Sequence, residues 1–356
     1  MVILGAAGVL AASGCGGGAD RVSDDERERG RSREEELSTV PDPGPGLEPG
    51  PPSSITVGWE TDFATRAVPL SEFRAGGPGK DGIPAIDEPR FVTVGETDFL
   101  APEEPVVALE LNGKARAYPL QILVWHEIVN DVLAGVPVLV TFCPLCNTAI
   151  VFQRRIDDRT LDFGTTGNLR DSDLVMYDRQ TESWWQQFGG HAVVGALTGA
   201  TLDQIPARIV AWRDFEREHA EGTVLSRETG YDRPYGSNPY PGYDDVDSAP
   251  AFATRNSGDD RLPAKERVVF IERGDEALAI PFSTLRREHV VRLEVGGRSL
   301  TVRWRAGVAS SLDRASVAAG RDVGTAEVRE GGRLVAFSEP FWFAVAAFRP
   351  NVRIVR

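Results

Sequence analysis

Two cysteines three residues apart are the residues of this sequence best suited to chemistry. They lie in the hexapeptide Phe142-Cys143-Pro144-Leu145-Cys146-Asn147. Such a pair could be a redox-active dithiol, a metal-binding turn or a small structural disulfide. A thioredoxin-type dithiol lies at the start of a helix, whereas the residues after Asn147 are β-branched and typical of a strand. Asn147 can also adopt the left-handed conformation that a metal-binding turn between strands requires.

The redox hypothesis assigns a role to three residues. Cys143, at a strand end, would be the attacking thiolate, and Cys146 would be the resolving thiol. His126 would accept a proton and so lower the pKa of the thiol. A dithiol of this kind would act on a thiol partner protein.

The metal hypothesis uses Cys143, Cys146 and His126 and requires at least one further ligand. The candidates for that ligand are His191, His219, Met176 or an acidic side chain. A Cys/His/Met set would suit copper and a Cys/His/carboxylate set would suit zinc, so the predicted cofactor is copper or zinc, if there is one. A metal donor or acceptor would then be the partner. The residues alone leave the redox, metal and structural hypotheses open.

A second group of polar residues follows an apolar stretch at 174–176. Met176, Asp178 and Arg179 could wall a pocket near the cysteines, with the two charged residues orienting a ligand. The alternative is a turn with a local ion pair, followed by two core tryptophans.

The elements that must position these residues are organised by an internal duplication. At an offset of 162, residues 106–142 align with residues 268–304 without a gap, and ten of the 37 pairs are identical. Each copy predicts a hairpin, a short helical turn opened by Pro119 or Pro281, and a second pair of strands. In the first copy, Asn112-Gly113 predicts the tight turn of the first hairpin and Gly135 the turn of the second.

The predicted architecture is therefore mainly β, with α+β as an alternative. It consists of two pseudo-repeated β units, each a barrel or sandwich with short helices, at residues 55–231 and 265–356. Residues 232–264 between them are rich in Tyr, Pro and Gly and predict an ordered loop or linker. The aromatic rings of this segment could present a binding face in a non-catalytic scaffold or ligand-binding protein. They belong to Tyr235, Tyr240 and Tyr243.

The duplication also predicts where the chemistry lies. The positions of the second copy that correspond to His126, Cys143 and Cys146 hold Glu288, Arg305 and Val308. The second copy thus lacks the candidate residues. We expect the first copy to carry the site and the second to serve as scaffold.

The N-terminal residues predict a targeting signal and not a folded element. Residues 1–14 resemble a short secretory signal peptide, and Cys15 follows Ser13-Gly14 as the lipid-modified cysteine follows a bacterial lipobox. Residues 15–54 are acidic and then Pro/Gly-rich, which is typical of a disordered tether. We expect a lipoprotein on the extracytoplasmic face of a bacterial membrane, with the membrane as its partner through Cys15.

Charge excludes one class of function. The chain has 53 Asp and Glu against 39 Lys and Arg, which gives a formal net charge of −14. A molecule this negative repels a polyphosphate during its approach, so we predict no nucleic-acid partner.

Several stretches together resemble a bacterial family known as domain of unknown function 3179. They include Lys80-Asp81-Gly82-Ile83-Pro84-Ala85-Ile86-Asp87, Tyr118-Pro119-Leu120, Trp125-His126-Glu127-Ile128-Val129-Asn130-Asp131, Cys143-Pro144-Leu145-Cys146, Ser172-Asp173-Leu174-Val175-Met176-Tyr177-Asp178-Arg179-Gln180-Thr181-Glu182-Ser183 and Tyr235-Gly236. Some members are described as selenoproteins, which implies redox use of the site if it applies to a position of the CxxC. The resemblance therefore favours the dithiol among the three hypotheses. Asn147 stands where a small residue, often Gly, is common, and both residues tolerate a left-handed turn.

Overall fold

The computed structural model describes residues 53–356. The predicted signal peptide, the predicted lipidation site Cys15 and nearly all of the predicted tether lie outside these residues. Strands make up 40% of the structure and helices 13%, so strand pairing decides the architecture.

The strands follow one another closely along the chain. In order, they are β1 (Phe73–Ala75), β2 (Phe91–Thr93), β3 (Pro105–Leu111), β4 (Lys114–Pro119), β5 (Ile128–Leu133), β6 (Val136–Cys143), β7 (Thr148–Gln153), β8 (Arg155–Ile156), β9 (Arg159–Thr160), β10 (Phe163–Arg170), β11 (Asp173–Asp178), β12 (Trp184–Gln186), β13 (His191–Val194), β14 (Gln204–Ile205), β15 (Ala207–Ala211), β16 (Thr223–Leu225), β17 (Val268–Arg273), β18 (Glu276–Pro281), β19 (Val290–Val295), β20 (Arg298–Arg305), β21 (Thr325–Glu330), β22 (Arg333–Leu334) and β23 (Arg353–Ile354).

The helices are short. They are α1 (Ser53–Thr56), α2 (Leu120–His126), α3 (Trp212–Glu218), α4 (Phe282–Glu288) and α5 (Trp342–Phe348), with 3-10 turns at Leu70–Glu72, Val94–Glu96 and Val317–Ala319. Within residues 53–356, no helix has the length and apolar character needed to cross a bilayer.

The strands form five sheets, which are the blades of a five-bladed β-propeller. Their strand orders are β15-β3-β4-β16-β2 in blade 1, β14-β7-β6-β5 in blade 2, β1-β10-β11-β12-β13 in blade 3, β17-β18-β23 in blade 4 and β19-β20-β21-β22 in blade 5. Strands β8 and β9 pair only with each other.

The predicted arrangement of two barrels or sandwiches is therefore wrong. The two hairpins of each copy do not close on one another but enter different sheets, β3/β4 in blade 1 and β5/β6 in blade 2. The helix between them has seven residues, so it is about 10 Å long, which is the spacing of two sheets packed face to face. A connection of this length carries the chain from one blade to another.

The duplication itself is visible in the elements. β3, β4, α2, β5 and β6 of the first copy recur as β17, β18, α4, β19 and β20 in the second, and the matched helices and second hairpins keep the offset of 162. Pro119 and Pro281 are the extended residues before the two helices, as predicted. Both helices end at a residue with positive φ, Glu127 at 59° and His289 at 58°.

Candidate functional site

Cys143 ends a strand of blade 2, and Cys146 lies in the tight turn that follows it. β6 ends at Cys143, β7 begins at Thr148, and these two residues are paired across the strands. Asn147 closes the turn with a φ of 56°, the left-handed conformation that the sequence predicts. Its side-chain nitrogen donates to the carbonyl oxygen of Glu339 at 2.8 Å, which fixes the turn against the second copy.

Both cysteines are free thiols and are buried, with 1% of Cys143 and none of Cys146 exposed. The small disulfide of the structural hypothesis is thus not present. The sulfurs belong to an apolar core to which both copies contribute, so a partner protein has no direct approach to them.

An aspartate from the neighbouring blade completes a cluster with the sulfurs. Asp173 is the first residue of β11, and its Oδ1 lies 2.9 Å from the Sγ of Cys146. The ligand atoms of Cys143, Cys146 and Asp173 all lie within 4.8 Å of one another, and all three residues are buried. Two sulfurs and one carboxylate at this separation could bind one metal ion.

The backbone before Asp173 is held in an uncommon conformation. Asp171 and Ser172, which connect β10 to β11, have φ values of 54° and 58°. A two-residue hairpin turn with two positive φ values normally favours Asn-Gly. Local preference does not explain Asp-Ser here, whereas tertiary contacts do, because the Asp171 carboxylate accepts from the guanidinium of Arg255 and Ser172 donates to the carbonyl of Phe252.

Polar groups of blade 3 fix the Asp173 carboxylate. Its Oδ2 accepts from the backbone N–H of Phe188 at 2.9 Å and from the side-chain amide of Gln186. Gln187 accepts a hydrogen bond from the hydroxyl of Thr148, whose oxygen lies 2.7 Å from the Sγ of Cys146. The cluster is therefore oriented from both blades.

Glu127 is a second carboxyl group beside this cluster. It is the left-handed residue that ends α2, and only 7% of it is exposed. Among residues 53–356, no hydrogen bond or ion pair is made by its carboxylate, which is unusual for a buried acid. Burial, together with the nearby charge of Asp173, raises its pKa to about 8.

Burial also controls the protonation of the cluster. It raises the pKa of Cys143, raises that of Cys146 well above its ordinary value, and raises that of Asp173 to about 6. The redox hypothesis expected the opposite direction for the thiols. The reason is that the cysteines face acidic groups in an apolar core and have no neighbouring histidine to stabilise a thiolate.

His126 does not join the cysteines. Its Nδ1 donates to the carbonyl oxygen of Pro84 at 2.7 Å, and its Nε2 accepts from the hydroxyl of Tyr235 at 2.6 Å. Burial lowers its pKa, in keeping with a neutral ring. The roles predicted for His126, as proton acceptor and as metal ligand, are therefore not available in this arrangement, and Asp173 occupies the place of the third ligand.

The tyrosine-rich segment, residues 232–264, covers the site. Tyr235 binds His126, and the hydroxyl of Tyr243 donates to the carbonyl of Leu145 inside the cysteine turn at 3.0 Å. Tyr240 is largely buried, and its pKa is raised by burial and by the nearby Glu127 and Cys143. The segment therefore covers the cysteine turn as a lid.

The predicted pocket residues lie elsewhere. β11 runs from Asp173 to Asp178, so Asp178 lies about 17 Å along the strand from Asp173, the residue that meets the cysteines. Its carboxylate accepts from Thr181 and from the indole of Trp185, and Arg179 forms ion pairs with Asp81 and Asp87. These are contacts of a structural turn, the alternative considered for this stretch.

The other proposed ligands are also apart from the cluster. Met176 is buried opposite Trp185, three residues along β11 from Asp173 and thus on the other face of the strand. His191 contacts Thr201, and His219 lies 3.4 Å from Glu110. Of the candidates for a further ligand beside the two cysteines, only the general class of an acidic side chain has a member in the cluster, Asp173.

Sequence reasoning missed both Asp173 and Glu127. Each was present in a motif that carries the family resemblance, Ser172-Asp173 in one and His126-Glu127 in another. Their proximity to the cysteines arises only from tertiary packing, and nothing local distinguishes them from the other 51 acidic residues.

Fold and site together define a five-bladed β-propeller with a buried thiol–carboxylate cluster. A family model described as a protein of unknown function, DUF3179, matches residues 80–352. The chain belongs to this family, as its motifs predict. Comparison with curated proteins and with solved structures gave no match.

Proposed function

We propose that this protein binds one zinc ion through Cys143, Cys146 and Asp173. The observation that carries the proposal is the convergence of two thiols and a carboxylate, with ligand atoms within 4.8 Å, at a buried position. Buried anions normally require a paired cation. In the described part of the chain no Lys or Arg forms an ion pair with Asp173, so a metal ion is a cation that would balance its carboxylate.

The ligand set favours zinc over copper. Copper(I) prefers soft sulfur and imidazole ligands, and neither Met176 nor His126 faces the cluster. Zinc accepts thiolates together with a carboxylate in a tetrahedral arrangement. Three protein ligands leave one position for a further group, and Glu127 lies beside the cluster with an unengaged carboxyl group.

The direct test is metal analysis of the purified chain together with titration of its thiols. We expect near-stoichiometric zinc, with Cys143 and Cys146 reacting only after a chelator is added. Asp173→Asn should lose most of the zinc, whereas His126→Gln should retain it. The reverse pattern would restore the ligand set predicted from the sequence, and a metal-free chain with reactive thiols would contradict the zinc site altogether.

Thiol–disulfide exchange is the second candidate, and the free state of both thiols favours it. In that reaction Cys143 and Cys146 would lose two electrons and two protons to form a disulfide, and a disulfide of the partner protein would be reduced to two thiols. The lid would have to open to admit the partner. A metal-free dithiol with a reduction potential well above about −300 mV would support this function over zinc binding.

We also propose that Cys15 anchors the protein by a lipid to the extracytoplasmic face of a bacterial membrane. The support is the small apolar stretch before Ser13-Gly14-Cys15 and the long polar tether after it. Mass spectrometry of the membrane-extracted protein should find a diacylated Cys15 at the mature N-terminus. Cys15→Ser should release the protein from membranes, and an unmodified, membrane-free Cys15 would contradict the anchor.

A further inference from the structure

The lid, residues 232–264, makes hydrogen bonds to two turns, and both turns position ligands of the zinc site. The cysteine turn connects β6 to β7 of blade 2 and supplies the two sulfurs. The turn at 171–172 connects β10 to β11 of blade 3 and leads directly into Asp173. Because the two turns belong to different sheets, the distance between the sulfurs and the carboxylate depends on the contacts that hold the turns together.

Tyr243 connects the lid to the cysteine turn. Its hydroxyl donates to the carbonyl oxygen of Leu145, which lies between the two cysteines, and accepts from the backbone N–H of Ala251 at 3.3 Å. The Nζ of Lys265 donates to the carbonyl oxygen of Tyr243 at 2.5 Å and lies 3.5 Å from the centroid of its ring. Only 3% of Lys265 is exposed, so the ammonium group is a buried support for the tyrosine.

Arg255 connects the lid to the second turn. Its guanidinium donates twice to Oδ2 of Asp171, from Nε at 2.8 Å and from Nη2 at 2.5 Å, and its backbone N–H donates to Oδ1 at 2.7 Å. A guanidinium that makes two hydrogen bonds to a carboxylate is among the strongest side-chain contacts. The hydroxyl of Ser172 donates to the carbonyl oxygen of Phe252 in the lid. Both residues of this turn, which have positive φ, are therefore held by the lid.

The lid thereby bridges the two parts of the ligand set. A metal ion binds more tightly when its ligands already lie at the correct separation, because less conformational freedom is lost on binding. The coupling is also reciprocal. If a closed lid raises the affinity for the ion, a bound ion stabilises the closed lid by the same factor.

We propose that Tyr243 and Arg255 are positioning residues of the zinc site, and that zinc is a resident ion that exchanges only when the lid opens. The inference rests on the proposed zinc site and describes how that site is closed. Both residues act through the turns that carry the ligands. A carrier must release its metal to an acceptor, so a resident ion distinguishes this site from the metal carrier predicted as one alternative from the sequence.

Zinc affinity and zinc release of the full chain test the proposal, both measured by competition with a chromogenic chelator. Arg255→Gln should lower the affinity about 10-fold, the lower end of the range for groups that orient metal ligands, and should speed release by a similar factor. Tyr243→Phe removes one hydroxyl and keeps the ring, so it should lower the affinity about 5-fold. If Arg255→Gln does not fold, Tyr243→Phe decides the outcome.

Two further variants separate positioning from general stability. Arg213→Gln is the matched control, because Arg213 is 41% exposed against 42% for Arg255 and pairs with Glu103. It should leave zinc affinity unchanged. Asp171→Asn should reproduce the effect of Arg255→Gln, and the double variant should bind zinc no more weakly than either single variant, since the two residues form one contact.

Hydrogen exchange measures the reciprocal effect. The backbone N–H of Arg255 donates to Asp171, so it exchanges when the lid separates from this turn. Zinc should slow this exchange about 10-fold, whereas the paired amides of β20 and β21 in blade 5 should exchange at the same rate with and without zinc.

The outcomes distinguish the lid from the metal site. Equal zinc affinities for Arg255→Gln, Tyr243→Phe and Arg213→Gln would overturn the proposal and leave the zinc site in place, as would exchange of the Arg255 amide that does not respond to bound zinc. A wild-type chain that binds no zinc would contradict the site itself, and the role of the lid with it.

Discussion

The two copies of the repeat have the same backbone but place different side chains, a thiol and an arginine, at equivalent positions. Cys143 in the first copy faces Asp173 of blade 3, and Arg305 in the second copy faces Asp214 and Glu218 of blade 1. In both cases a residue at the end of a strand meets an acidic group supplied by a neighbouring blade. The second copy carries its own cation for that acidic group, whereas the first copy has two thiols and no cation.

This difference indicates what each copy can bind. A buried acid beside protonated thiols gains most from a metal ion, which displaces the thiol protons and balances the charge. In the second copy the acids are already paired with Arg305, so no metal ion is needed to balance their charge. In both copies the repeat places a side chain at the end of the same strand. The charge around that side chain comes from the residues of the neighbouring blade.

The largest effect is expected from removing a sulfur ligand. Cys146→Ser should lower the affinity for zinc by more than about 100-fold, since even groups that only orient a ligand contribute 10- to 100-fold. Val308→Ala, at the equivalent position of the second copy, is the matched control and should leave zinc affinity unchanged. Competition with a chromogenic chelator measures both, and equal affinities would remove the distinction between the copies.

Packing should differ between the copies at one aromatic position. Phe142 is fully buried, so Phe142→Ala should lower the free energy of unfolding by about 3–5 kcal/mol. The equivalent Trp304 is partly buried and packs at the margin of the core between blades 4 and 5, so Trp304→Ala should cost about 1–2 kcal/mol. Chemical denaturation measures both, and a Trp304 variant as destabilised as the Phe142 variant would mean that the indole is as deeply packed as the phenyl ring.

Glu339 contacts both the cysteine turn and strand β21 of blade 5. Because its carboxyl group is buried, we expect it to make the stability of the chain depend on pH. Its carbonyl binds Asn147 of the cysteine turn, and its carboxylate accepts from the backbone N–H of Ala326 in β21. Burial raises its pKa from 4.5 to about 7. The folded chain therefore holds a proton that the unfolded chain releases between about pH 4.5 and 7, so this group lowers stability as the pH rises through that window.

Glu339→Gln should abolish this contribution. Relative to the variant, the wild-type chain should lose about 2–3 kcal/mol of stability between about pH 5 and pH 8. Urea denaturation at both pH values measures the difference. If the stability difference between wild type and variant were the same at both pH values, Glu339 would have an ordinary pKa in the folded chain.

The smallest effect concerns the left-handed residues that end the two matched helices. His289→Gly should raise the free energy of unfolding by about 1 kcal/mol, because glycine accepts a positive φ without steric cost. Glu127→Gly relieves the same strain and also removes a buried carboxyl group, so the metal-free chain should gain more. If both variants gained the same free energy of unfolding, burial of the Glu127 carboxyl group would not destabilise the metal-free chain.

Local features were predictable because they depend on residues close in sequence. The hairpin turn at Asn112-Gly113, the helix start after Pro119 and the left-handed Asn147 are each set by backbone preferences of one or two residues. The duplication was equally readable, since ten identities at one fixed offset need no structure. The barrel or sandwich was wrong because the pattern of a hairpin does not say which sheet the next hairpin joins.

The family, the repeat, the cysteine turn and the mainly β character of this protein can all be predicted from its residues alone. The five blades and the choice of Asp173 over His126 as the third member of the cluster depend on tertiary packing. Asp173 lies 27 residues beyond Cys146 and in another blade, so its distance to the sulfur depends on how two sheets pack. His126 lies nearer to Cys143 in sequence, yet hydrogen bonds to Pro84 and Tyr235 hold its ring away from the sulfurs, and such long-range contacts are not encoded in residue spacing.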